Sequence, residues 1–189
     1  MYLRNNRYKE NCLTFEQLQL INMLHRLWIE HVMWTRSFII STAANLKDLD
    51  FVTQRLLRNP VDFANLLRPL YGNQSAMRFE DLFKNHLLIA AQLVNAAKNG
   101  NERAVTEQRN KWYENADDIA DFLSSINPYW SRRQWQALLY DHLKMTEDES
   151  LQILSGQYDA SIRQYDLIEN EALKMADVMA QGIIDQFQV

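Results

Sequence analysis

From Thr14 onward the apolar positions fall at alternating steps of three and four, the spacing that holds one face of an α-helix toward a partner. Leu20, Leu24, Leu27, His31, Trp34 and Phe38 form the first stripe. Thr14-Phe15-Glu16-Gln17 is a capping box that starts this helix, and the pattern ends near Ala44. A second stripe begins after Ser75 and runs through Phe79, Leu82, His86, Ile89, Leu93 and Ala96. Asn99-Gly100-Asn101 stops it, with Gly100 supplying left-handed backbone and Asn101 capping the next helix. Val105, Gln108, Trp112, Asn115, Ile119 and Phe122 make the third stripe. The fourth helix spans about Tyr158 to Phe187 and reads in two ways. One stripe is Ile162, Tyr165, Glu169, Ala172, Ala176, Met179 and Ile183; the other is Ile162, Asp166, Glu169, Leu173, Ala176, Ala180 and Ile183. Glu169 lies inward on both and Asp166 on one.

Between these helices the pattern shortens. Leu49-Asp50-Phe51-Val52 and Asp62-Phe63-Ala64-Asn65-Leu66-Leu67 predict two short helices across 45–72, the second starting at Asn59-Pro60, where proline suits a first turn. Pro69 and Gly72 close that segment. Ser131-Arg132-Arg133-Gln134 is a second capping box, ahead of Trp135, Leu138, Leu139 and His142, and Thr146-Glu147-Asp148-Glu149 is a third, opening a short helix that Gly156 ends. The expected architecture is therefore an all-α four-helix bundle of the ferritin-like, up-down type with short helical crossovers. It occupies residues 14–189 as one domain behind a flexible leader of residues 1–13.

Composition agrees with this class. The 189 residues are 47% hydrophobic, enough for one sizeable core, and include only 4 Gly and 3 Pro, too few for the turns of a sandwich or barrel. A formal charge of -4 with both signs interspersed gives no basic face, so nucleic acid is not an expected partner. No apolar run approaches the roughly 20 residues needed to span a bilayer, and the N-terminus lacks a secretory apolar segment. Cys12 is the one cysteine, without a disulfide or zinc-cluster partner, which points to the cytoplasm. A homo-oligomer is compatible with the long amphipathic helices. No glycine-rich phosphate loop, nucleophile elbow or Cys-His pairing is visible.

Candidate chemistry lies on the stripes themselves. His31, His86, Asn115 and Glu169 each interrupt an apolar face, and a buried polar group must be paired, ligated or protonated. His86 precedes Gly100 by 14 residues and Asn115 follows it by 15, which puts both about 21 Å from the hairpin tip at 1.5 Å per residue. They therefore share one level. Bundle cores hold metals through imidazole and carboxylate groups, so His31, His86 and Glu169, with Asn115, Asp118 or Asp166, form a candidate set for a divalent zinc, iron or manganese ion. No Glu-x-x-His pair is present, which disfavours a di-iron centre. The alternative is that the histidines are hydrogen-bonded to Asn115, Glu169 or Tyr165 and only fix helix register. His25 reads as a boundary residue and His142 as a surface residue of the second connection. The tryptophans read as packing. Arg36 reads as a carboxylate partner or, less commonly, an anion site.

Three segments carry a resemblance: 27–36 (LWIEHVMWTR), 55–64 (RLLRNPVDFA) and 126–130 (INPYW). Together they resemble an uncharacterised family of small all-helical proteins from spore-forming Firmicutes, some labelled acetylglutamate kinase. That label implies a Gly-rich α/β fold, at odds with this chain. The Glu30-His31 helix is more loosely similar to ferritin-like bundles of unknown function in bacilli, which implies a metal-binding helical bundle.

Overall fold

The computed structural model describes residues 12–188, of which almost all are helical. Five helices follow one another: α1 (Phe15–Ala44), α2 (Leu49–Lys98), α3 (Glu102–Ile126), α4 (Arg132–Leu154) and α5 (Tyr158–Phe187). The all-α class holds, but the count differs from four helices with crossovers. Residues 1–11 of the expected leader lie outside the described residues. Residues 12–14 lead directly into α1, where the Thr14–Gln17 capping box is formed in both directions.

The two connections are helices of the bundle in their own right. The Asn59-Pro60 start and the two short helices expected across 45–72 do not occur; α2 runs through Pro60 and Pro69. Each proline removes one hydrogen bond, to the carbonyls of Leu56 and Asn65, a cost on the order of 3 kcal/mol that tertiary burial must offset. Phe63, Ala64 and Leu67, fully buried between the prolines, supply that burial. The helix breaks at Gly72, one of the two residues expected to close this segment, whose φ of 79° and ψ of 169° are open essentially to glycine alone. There the chain folds back, since the Phe63 ring lies 5.8 Å from Phe79 and 5.2 Å from Phe83 across the break. In a straight helix residues 16 and 20 positions apart would be about 24–30 Å apart. The arms 49–71 and 73–98 therefore form an antiparallel pair within α2.

The helix expected to open at Thr146 is likewise absent. Thr146 lies inside α4, which starts at Ser131, whose side chain accepts from Gln134 N. α4 is a core helix because Trp135, Leu139 and Leu143 are as deeply buried as any residue of α1 or α5. Each helix packs on its neighbours in sequence, and α5 closes back onto α1. Most of the core is one cluster, centred on Trp28, Phe63, Phe83, Trp135 and Met175. A smaller cluster around Phe38, Ile39, Leu56 and Leu87 fills the end of the bundle at the α1 C-terminus.

Candidate functional site: the buried histidines

Three of the four histidines lie in the core: His31 on α1, His86 on the second arm of α2, and His142 on α4. His86 and Asn115 meet at the level that the turn at Gly100 requires, with Nδ1 of the ring 2.9 Å from Asn115 Oδ1. Trp112, one helical turn before Asn115, donates from Nε1 to His86 Nε2 at 3.1 Å. Indole is only a donor, so Nε2 is the acceptor and the ring proton sits on Nδ1. Asn115 passes the chain on by donating from Nδ2 to the Leu82 carbonyl at 3.1 Å. Every polar atom of His86 is thus spent. Burial pushes its pKa down to about 3, nearby His142 pushes the same way, and the Asn115 hydrogen bond opposes them.

His31 joins this group through aromatic contacts. Its ring stacks on Phe83 at 4.8 Å, and Phe83 stacks in turn on His86 at 6.0 Å. Trp28 meets it edge-on at 5.8 Å and the His142 ring lies 5.5 Å away. Only 1% of His31 is exposed. Burial holds its pKa well below the ordinary imidazole value, His142 and His86 add to the effect, and Asn59 pulls the other way. Nδ1 of His31 and Oδ1 of Asn59 are both buried and neither makes a complete hydrogen bond, although the amide is close enough to act on the ring. Asn59 Nδ2 is committed to the Leu27 carbonyl at 2.9 Å.

The carboxylates are rearranged relative to expectation. Glu169 is half-buried, and Asp118 and Asp166 are exposed. Glu171 is buried in their stead, with Oε2 3.2 Å from His142 Nδ1 and Oε1 unpartnered. The cause is α4: as a full bundle helix it covers the flank of α5 that carries Glu171, while the Glu169 flank stays partly open. His142, expected at the surface, is buried for the same reason. Glu149 is also interior, hydrogen-bonded to Arg36 Nη1. Burial raises its pKa, and the Arg36 hydrogen bond and charge oppose that shift. Both misplaced groups had a sequence signal. Trp135, Leu139, His142, Thr146, Glu149 and Ile153 step by four and three, as do Ile168, Glu171 and Met175. Their polar members mask the stripe.

The set of His31, His86, Asn115, Glu169, Asp118 and Asp166 is therefore brought together only as His31, His86 and Asn115. Among the described residues no three His, Cys, Asp or Glu side chains are grouped so as to hold a metal ion. His25 sits at the surface, its Nε2 2.7 Å from Asp177 Oδ1. No helix among the described residues is long and apolar enough to cross a membrane. Compared with protein-family models, curated proteins and solved structures, the chain matches none.

Proposed function

We propose that the protein is a non-catalytic structural or protein-interaction module, in which the buried polar residues fix the register of the helices. The observation that carries this reading is the saturated chain Trp112–His86–Asn115–Leu82, which joins α3 to α2 and leaves no ring nitrogen for a ligand. Several other buried polar contacts act in the same way. His142 reaches from α4 to Glu171 on α5, Arg36 from α1 to Glu149 on α4 and the Ser161 carbonyl on α5, and Asn59 from α2 to the Leu27 carbonyl on α1. A helix slipped by one residue would strand these groups, at about 1–3 kcal/mol each.

A double-mutant cycle tests it. His86→Leu and Asn115→Leu, alone and together, are expected to couple by roughly 0.5–3 kcal/mol in denaturant unfolding, as residues of one network do. Additive effects would refute the register role.

A metal ion or small ligand in the core is the second reading, favoured by the unpartnered His31 Nδ1 and Glu171 Oε1, on two residues that both neighbour His142. It would draw on His31, His142 and Glu171 in place of Glu169, and for a metal ion these three would have to move together, since as they stand they are not grouped to hold one. Metal analysis of protein purified without added zinc, iron or manganese decides between the two. One equivalent of metal, lost in His31→Ala/His142→Ala, would replace the register reading.

A further inference from the structure

Arg36 pairs with a carboxylate through Nη1 alone, leaving most of its hydrogen-bonding capacity unused, and it lines a cleft. The cleft lies between the C-terminal half of α1 and the first turns of α5 and has a volume of about 250 Å³. Ile40, Ala44, Leu154, Tyr158 and Ile162 give it apolar walls, and Arg36 is the charged group in its lining. The Arg36 side chain is 19% exposed, whereas its partner Glu149 is 2% exposed and lies behind it.

A guanidinium carries five N–H donors in a planar fork. Arg36 uses Nη1 alone, toward Glu149 Oε1 and the Ser161 carbonyl at 3.2 Å. Among the described residues Nε and Nη2 have no hydrogen-bond partner. Tyr165 fixes the plane from one side, its ring centroid 5.1 Å from Cζ. The acid in the first turn of α5, Asp159, is engaged by Arg163 on the outer face. A pre-positioned fork edge beside apolar walls is the arrangement that recognises a planar anion with an apolar body.

We propose that this cleft binds a small carboxylate bearing an apolar tail, with the carboxylate on Nε and Nη2 of Arg36 and the tail along Ile40 and Ile162. Glu149 limits the affinity, since it already neutralises the guanidinium and repels a second anion. Glu149→Gln keeps an oxygen acceptor for Nη1 and removes that repulsion, so it strengthens binding. Ile162 is 56% exposed, so Ile162→Glu leaves the core intact while placing a negative charge on the tail path.

The test is titration of the full chain with hexanoate, followed by calorimetry or NMR, with hexanol as the neutral analogue. The expected result is saturable hexanoate binding, about tenfold tighter than hexanol, as a charge-assisted pair requires. Glu149→Gln tightens it severalfold and Ile162→Glu weakens it about tenfold or more. Lack of saturation, equal binding of hexanol, or unchanged affinity in either variant overturns the proposal. Unchanged circular dichroism and melting in Ile162→Glu separates loss of the site from loss of the fold.

Discussion

His86 makes the stability of this protein depend on pH in a way that one substitution isolates. The folded ring is held neutral, with a pKa near 3, by burial first, then by His142; in the unfolded chain it titrates at about 6.5. A folded-state pKa below the unfolded one means that the unfolded state takes up the proton first. Stability from this group is therefore complete above pH 6.5, is lost as pH falls below it, and stops falling near pH 3. Between pH 7.5 and pH 5 the loss is about 2 kcal/mol, one and a half pH units at roughly 1.36 kcal/mol each. The geometry supplies the reason: a proton on Nε2 would face the Trp112 N–H, donor against donor.

The measurement is urea unfolding of wild type and His86→Leu across that range, read by circular dichroism. The variant strands Trp112 Nε1 and Asn115 Oδ1 and so starts less stable at pH 7.5. It lacks the titrating ring, however, so the gap between the two proteins narrows by about 2 kcal/mol at pH 5. His31 moves both proteins in the same direction, and Glu149, whose pKa is raised, contributes stability below its unfolded pKa that fades as pH rises. Both are present in each protein and cancel in the comparison. Parallel curves would refute the buried, neutral assignment of His86.

Gly182→Ala is expected to be strongly destabilising, because a Cβ there would lie 2.0 Å from Trp130 Nε1, and that buried ring also donates to the Val178 carbonyl. Overpacking of this kind costs about 1–3 kcal/mol, and a melting temperature within a degree of wild type would contradict it. Gly72→Ala meets no atom within 4 Å, so its effect is backbone strain alone at φ 79°, about 1–3 kcal/mol; thermal melting reads it, and a stabilised variant would show that the fold-back tolerates a side chain. Asn115→Asp keeps the acceptor for His86 but strips the donor from the Leu82 carbonyl. It is expected to cost about 1–3 kcal/mol at pH 7.5 in urea unfolding, and no loss would show that carbonyl to be otherwise satisfied.

The local code was legible wherever one helix face alone decided the outcome. The Thr14–Gln17 box, the turn at Gly100 and the level shared by His86 and Asn115 depend on helical rise and capping chemistry, which neighbouring residues carry. His31, His86 and Asn115 were legible as interior for the same reason, since each is flanked by apolar residues on a clear stripe. The reading failed where two signals conflict. Pro60 signals a helix start and Pro69 a stop, yet burial of Phe63 and Leu67 carries α2 through both. Thr146-Glu147-Asp148-Glu149 has the composition of a helix start, yet buried Leu143 and Ile153 on either side keep it within α4.

Spacing and capping chemistry along the chain therefore suffice for the helical class, for the inward faces of α1, the second arm of α2 and α3, and for the residues that start α1 and α3. Those properties arise within a turn or two of chain. Packing between helices settles the rest: that one helix runs through Pro60 and Pro69 up to Gly72 and lies back on the arm beyond it, that α4 belongs to the core, and that Glu171 in place of Glu169 meets a histidine. On an amphipathic helix the flank residues are equivalent until a neighbour covers one side. Covering the Glu171 side is the work of α4, a helix whose own polar stripe concealed it.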